Sequence, residues 1–216
     1  MIIIGAKGFA KEVLQIVSVD MDLPDDHIVF FDNVSEGLPL KIYNRFKILK
    51  SFDEVKNYLS ESEDKSFVLG LGNPKLRQKL FIQFIELGAL PVSVISKNVD
   101  IGSFEVNIGE GTSIMSGVKI SNSVEMGKGG LIYYNSIITH DCIIGDFVEV
   151  SPNVTILGRS RIGSGTSLGA SSVILPDVTV GNNVIVGAGA VVLNDVPNNS
   201  TIVGVPGRII SKENTI

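Results

Sequence analysis

Along the second half of the chain, large aliphatic residues return at every sixth position: Ile108, Ile114, Ile120, Met126, Ile132, Ile138, Ile144, Val150, Ile156, Ile162, Leu168, Ile174, Val180, Val186 and Val192. Four places after each comes a residue no larger than valine, from Thr112, Val118 and Val124 through Cys142 and Ser160 to Ala190 and Val196. Gly follows the large aliphatic at 109, 127, 145, 163, 169, 181 and 187, where it is expected to supply tight bends. A helical face recurs every 3.6 residues and a simple strand every two, so neither explains a strict six. The glycine load would also disrupt helices. The pattern predicts a hexapeptide-repeat β-helix in which aliphatics stack inside a narrow prism and small residues fill its corners. Three hexads make a coil, so residues 108–197 are expected to form five coils, each rising about 4.8 Å. The longer step from Ile101 to Ile108 predicts a one-residue bulge in the first hexad.

The first half has a different rhythm. Met1 to Ile4 is an apolar run, Gly5 to Phe9 a turn, and Ala10, Val13, Leu14 and Val17 share one helical face. Ile28 to Phe31, Phe67 to Leu71 and Val92 to Ile95 read as strands, Phe52 to Leu59 and Lys75 to Leu87 as helices. This alternation predicts a small parallel α/β, Rossmann-like domain over residues 1–97, followed by the β-helix domain over 98–216. The loops Gly5-Ala6-Lys7-Gly8-Phe9 and Gly70-Leu71-Gly72-Asn73, with Asp32 between them, fall at the carboxyl ends of strands, where open α/β sheets bind ligands. Lys7 stands where a full dinucleotide fingerprint has its second glycine, so the loop points to a nucleotide-type ligand without specifying one.

Composition narrows the function. A net charge of −5 and a pI near 5.1 argue against a nucleic-acid or anionic-membrane surface and for a small-molecule partner. With 6% aromatics and no Trp, the core is expected to be aliphatic. The single Cys142 excludes an internal disulfide, and no apolar run approaches a membrane span, so a cytoplasmic protein is expected. Of the two histidines, His27 reads as a surface residue. His140 lies two places after Ile138, outside both core series, so packing does not account for it. Cys142 falls in the small inward slot and is a poor candidate for a nucleophile.

Several segments together resemble the sugar acetyltransferases that include sialic acid O-acetyltransferase and the UDP-amino-sugar N-acetyltransferases. They are Ile4-Gly5-Ala6-Lys7-Gly8-Phe9-Ala10-Lys11-Glu12-Val13, Phe31-Asp32-Asn33, Gly70-Leu71-Gly72-Asn73-Pro74 with Arg77, His140 through Phe147, and Gly204-Val205-Pro206-Gly207-Arg208. The resemblance implies a left-handed coil, a homotrimer with sites between subunits, acetyl-CoA as acyl donor along the β-helix, and a nucleotide sugar on the N-terminal domain. By position it implies that Lys7, Gly8, Phe9, Asp32, Asn33 and Gly72 line the sugar pocket and that Ala170 and Ala188 lie against the cofactor. It also makes His140 the general base, with Asp141 orienting the imidazole. Gly158, one coil on, is expected to leave open space beside the base and to offer a backbone N–H to the oxyanion. Arg159, Arg161, Arg208 and Lys212 are candidates for the CoA phosphates.

Two positions depart from the family. Nine residues after the base the amino-sugar enzymes typically carry another His that contacts acetyl-CoA, and here Glu149 stands there. Seven before the base they often carry Asn, and here it is Tyr133. The expected activity is N-acetylation of a nucleotide-linked amino sugar. O-acetylation of a sugar hydroxyl and a weakly active binding homologue remain the alternatives, and Glu149 and Tyr133 are expected to tune the acceptor.

Overall fold

In a computed structural model that describes residues 1–212, strands β1 (Ile2–Ile4), β2 (Val29–Phe31), β3 (Lys41–Ile42), β4 (Phe46–Leu49), β5 (Ser66–Leu69) and β6 (Leu90–Pro91) form one sheet in the order β3-β4-β2-β1-β5-β6. All neighbours run parallel except β3, which turns back antiparallel on β4. The sheet is therefore mixed, not purely parallel as the alternation suggested. Every residue of β1 is buried, as expected of a central strand covered on both faces. Helix α1 (Gly8–Gln15) continues into a π-helical turn over Ile16–Asp20. Helix α2 (Phe52–Glu61) starts where Ser51 Oγ accepts from Glu54 N–H and the Glu54 carboxylate accepts from Lys50 N–H. Helix α3 (Pro74–Glu86) is capped by Asn73, whose Oδ1 accepts from Leu76 N–H, with Pro74 in its first turn.

From Val94 onward the chain winds as a parallel β-helix with three faces. The first face holds 94–95, 113–114, 131–132, 149–150, 167–168 and 185–186; the second starts at Asp100–Ile101 and the third at Asn107–Ile108. Val94–Ile95 pairs with Ser113–Ile114, so it is the first rung of the β-helix and not a strand of the α/β sheet. Ile95 and Ile101 pair nineteen residues ahead, with Ile114 and Ile120, whereas Ile108 pairs eighteen ahead, with Met126. The extra residue therefore lies between Ile101 and Ile108, as their spacing indicated. The large aliphatic series is buried throughout except Ile108, half-buried at the open end, and the small series is buried completely.

The bends do not fall at the glycines that follow the aliphatics. They fall two residues later, where Gly111, Gly129, Phe147, Gly165, Ser171, Asn183 and Gly189 adopt left-handed φ of 68, 65, 53, 70, 59, 54 and 67°. The earlier glycines are needed for the contact between coils: a Cβ on Gly145 would lie 2.6 Å from Ser164 N, and one on Gly127 2.7 Å from Asp146 N. At the far end the last coil is shortened, Ile185 pairing with Thr201, and strand Ser200–Val203 is closed by an antiparallel strand, Arg208–Lys212.

The α/β domain packs on the first face and its two flanking corners. Arg77 reaches Gly129 and Gly130, Phe81 meets Phe147, and Phe9 meets Tyr133. Among the described residues no helix is long and apolar enough to cross a membrane, and no group of three or more His, Cys, Asp or Glu is placed to hold a metal ion.

Candidate active site

His140 and Asp141 occupy the corner between the second and third faces, on the edge of the prism opposite the first face. Each is about half exposed, and His140 Nδ1 lies 2.6 Å from Asp141 Oδ2. That bond directs the ring proton to Nδ1 and leaves the Nε2 lone pair free, the arrangement of a base held by a carboxylate. The left-handed backbone at Asp141 is what brings its carboxylate back to the preceding side chain. Gly158 does not leave vacant space beside the base, because the imidazole itself fills it: a Cβ there would lie 2.6 Å from Cε1 and 2.7 Å from Nε2. Glycine is thus the residue that lets this ring lie flat on the next coil. Cys142 points inward between the carbonyls of His140 and Leu157, and burial pushes its thiol pKa up, against a nucleophilic role.

A cleft of about 330 Å³ lies at the carboxyl ends of β1, β2 and β5, within the range of small-molecule sites. Lys7, Asp32 and Asn33 line it, with Gly5, Ala6, Gly70 and Leu71 from the two glycine loops. Asp32 is 8% exposed and ties the loops together: Oδ2 accepts from Ala6 N–H, and Oδ1 from Val34 and Ser35 N–H. Burial works to raise its pKa, but the Ser35, Val34 and Ala6 hydrogen bonds outweigh it and hold the carboxyl below its usual range. The opposite wall comes from α3, through Leu76, Lys79, Leu80 and Gln83. None of these was singled out from the sequence, which predicts only a helix over Lys75 to Leu87.

Phe9 and Gly72 sit at the junction with the β-helix, outside the cleft lining. Phe9 lies 5.3 Å from the Tyr133 ring, and the Tyr133 hydroxyl donates to Glu12. Burial pushes the Tyr133 pKa up, and Glu12 adds to the shift. Gly72 faces Glu149, whose Oε1 would be 3.7 Å from a Cβ on that glycine, while Oε2 accepts from Ser167 Oγ at 3.2 Å. Burial raises the Glu149 pKa, and the Ser167 hydroxyl and the Arg77 charge oppose it. Arg77 is completely buried, and its guanidinium donates to the carbonyls of Gly129, Gly130, Leu69 and Leu71. Burial lowers its pKa to about 9, which leaves it charged at neutral pH. It was noted in the sequence only as part of a motif.

Gly8 is exposed, with open space around its α-carbon. Ala170 and Ala188 stack at the corner between the first and second faces, Gly189 N–H donating to the Ala170 carbonyl. Among the suggested cations, Arg159 is engaged in a two-point contact with Asp177, at 2.6 and 2.8 Å. Arg161 and Arg208 are exposed, and the Lys212 side chain lies outside the described residues.

Residues 1–84 match the PglD N-terminal domain family, and residues 159–194 match the family described as bacterial transferase hexapeptide (six repeats). The chain is 29% identical over 175 residues to the GDP-perosamine N-acetyltransferase of Escherichia coli O157:H7, covering 79% of this chain and 76% of that one. The structure of WeeI from Acinetobacter baumannii AYE is 30% identical, covers 97% of this chain and 98% of that chain, and superposes with a TM-score of 0.77. PerB from Caulobacter crescentus, in complex with CoA and GDP-perosamine, is 28% identical with a TM-score of 0.81, covering 97% of this chain and 96% of that one. With both parts present in order along one chain, this protein belongs to the PglD-type sugar N-acetyltransferases, built of a PglD N-terminal domain and a hexapeptide-repeat β-helix.

Proposed function

We propose that this protein transfers the acetyl group of acetyl-CoA directly to the amine of a nucleotide-linked amino sugar, the α/β domain binding the nucleotide sugar and the β-helix carrying the base. The observation behind this reading is the pairing of two features: an ordered cleft at the ends of β1, β2 and β5, and an exposed His–Asp pair with a free Nε2. The amine nitrogen attacks the thioester carbonyl, His140 Nε2 takes the proton the nitrogen sheds, and collapse of the tetrahedral intermediate expels the CoA thiolate, which receives that proton. The backbone N–H of Gly158, beneath the ring, is the oxyanion donor, Ala170 and Ala188 flank the CoA chain, and Lys7, Gly8, Phe9, Asp32, Asn33 and Gly72 serve the sugar nucleotide. Acetyl-CoA as donor and a single reduced cysteine suit a cytoplasmic enzyme feeding glycan or surface-polysaccharide synthesis.

The active unit in this reading is a homotrimer. Within one chain the cleft belongs to the domain packed on the first face and His140 lies on the opposite edge, which supports a site shared between subunits, the cleft of one served by His140 of the partner subunit. A panel of UDP-, dTDP- and GDP-linked 4-amino sugars, with sialic acid as hydroxyl acceptor, assayed with acetyl-CoA by thiol release, tests the chemistry. Turnover confined to the amino sugars is expected; turnover of sialic acid alone would overturn N-acetylation. Sedimentation near three times 23.1 kDa is expected, and a fully active monomer would exclude the shared site.

A further inference from the structure

We propose that Glu149 selects an amine-bearing acceptor, its carboxylate binding the ammonium group of the amino sugar where the α/β cleft meets the β-helix. This rests on the reading above and names the group by which the acceptor is recognised; the bound ammonium gives one proton to solvent before its nitrogen attacks, and His140 takes the second. The argument begins with position. Both loops that frame the cleft run down to the first face, Phe9 onto Tyr133 and Gly72 onto Glu149. Tyr133 N–H donates to the carbonyl of Val150, so the two contacts land on adjacent strands. A sugar that leaves the nucleotide cleft between these loops arrives over Tyr133 and Glu149.

The second observation is an opening. Among the described residues, leaving aside its chain neighbours, the atom within 4 Å of a Cβ built on Gly72 is Glu149 Oε1, at 3.7 Å. The other oxygen is already held by Ser167, so Oε1 borders the space that the missing side chain leaves. The third observation is charge. Behind Glu149 lies the buried Arg77, whose guanidinium donates to four carbonyl oxygens and, among the described residues, forms no ion pair with a carboxylate. Its field favours the ionised form of Glu149 against the effect of burial. Ser167 and Arg77 compensate the half-buried carboxylate only in part, since burial still raises its pKa, and a cation at Oε1 completes the compensation. A hydroxyl in the same place supplies a single neutral hydrogen bond.

The test compares, on the full-length protein, nucleoside-diphosphate 4-amino sugars with their 4-hydroxy counterparts, each as GDP, UDP and dTDP derivatives, by calorimetry and by thiol release. Wild-type protein should bind the amino member roughly tenfold or more tightly, the scale of one hydrogen bond to a charged group. Glu149→Gln should reduce that preference to under about threefold and raise KM for the amino sugar, with KM for acetyl-CoA unchanged. Equal wild-type binding of both members, an undiminished preference in Glu149→Gln, or an equal rise in KM for acetyl-CoA would each overturn the proposal. If Glu149→Gln does not fold, the wild-type preference is followed against pH: it must fade as the acceptor amine loses its charge, and a pH-independent preference overturns the proposal. Amino sugars acetylated without preference would remove this inference alone, whereas no binding of any pair would remove the function proposed above as well.

Discussion

The two halves of this molecule divide structure and chemistry differently. In the β-helix one series of positions makes the core and another faces outward, so His140 and Asp141 project from a frame that does not depend on them. In the α/β domain the same groups do both jobs: the Asp32 carboxylate that borders the cleft also pins the loops at Ala6, Val34 and Ser35. A repeat therefore separates what can be mutated for activity from what must be kept for folding, and an irregular domain does not.

The largest expected effect tests that separation. His140→Ala should lower turnover by roughly 10²- to 10⁴-fold, the usual contribution of a general base, with melting unchanged. If the acceptor is an amine, raising the pH should partly restore the rate, because the amine then deprotonates in solution. A sugar hydroxyl would gain little. Wild-type turnover in the alanine variant would remove His140 from the mechanism. The converse variant, Ile156→Ala, removes a fully buried core side chain and should cost about 2–5 kcal/mol in denaturant melts, while the surviving folded fraction keeps its KM values.

In the α/β half the two effects should not come apart. Asp32→Asn should weaken nucleotide-sugar binding and cost about 1–3 kcal/mol of stability, the scale for hydrogen bonds to a charged group. Because the folded pKa of Asp32 lies below its unfolded value near 3.9, its contribution is present above that pH and is lost as the pH falls through the folded pKa. The melting difference between wild type and variant should therefore shrink in acid below about pH 4. Asp141→Asn, like His140→Ala, should leave melting unchanged, and it should lower turnover less than His140→Ala does, since Asn keeps a hydrogen bond to the ring without its charge. A loss equal to that of His140→Ala would show that Asp141 does more than orient and stabilise the imidazole.

The same contrast governs what could be read from the chain. A six-residue period writes each core position from Ile114 to Val192 directly into the sequence, and the misplaced step at Ile101 with it. Val94–Ile95 escaped because a single rung has no period of its own. The hairpin Lys41–Leu49 escaped because a two-residue strand carries no alternation. Averaging the composition over the whole chain also concealed that the α/β core is aromatic, with Phe31, Phe52, Phe67, Phe81 and Phe84 in mutual contact. At the site, His140 stands out because core packing does not account for it, and its pairing with Asp141 as a base comes from the family resemblance; the structure places the two side chains 2.6 Å apart. The bonds from Arg77 to Gly129 and Gly130, and that of Tyr133 to Glu12, join residues 52, 53 and 121 positions apart, and no local pattern announces them.

The antiparallel strand at Arg208–Lys212 acts as a stop. A stack of parallel coils ends in a row of unpaired backbone groups, which a second copy of the same stack could continue into a fibre. Here the shortened last coil folds its chain back along Ser200–Val203, so on the first face the parallel stack ends on an antiparallel strand. Of the groups on the first face, those of the final rung are thus spent on termination, and the molecule's length along the prism axis is fixed by its own chain instead of by how many copies happen to meet.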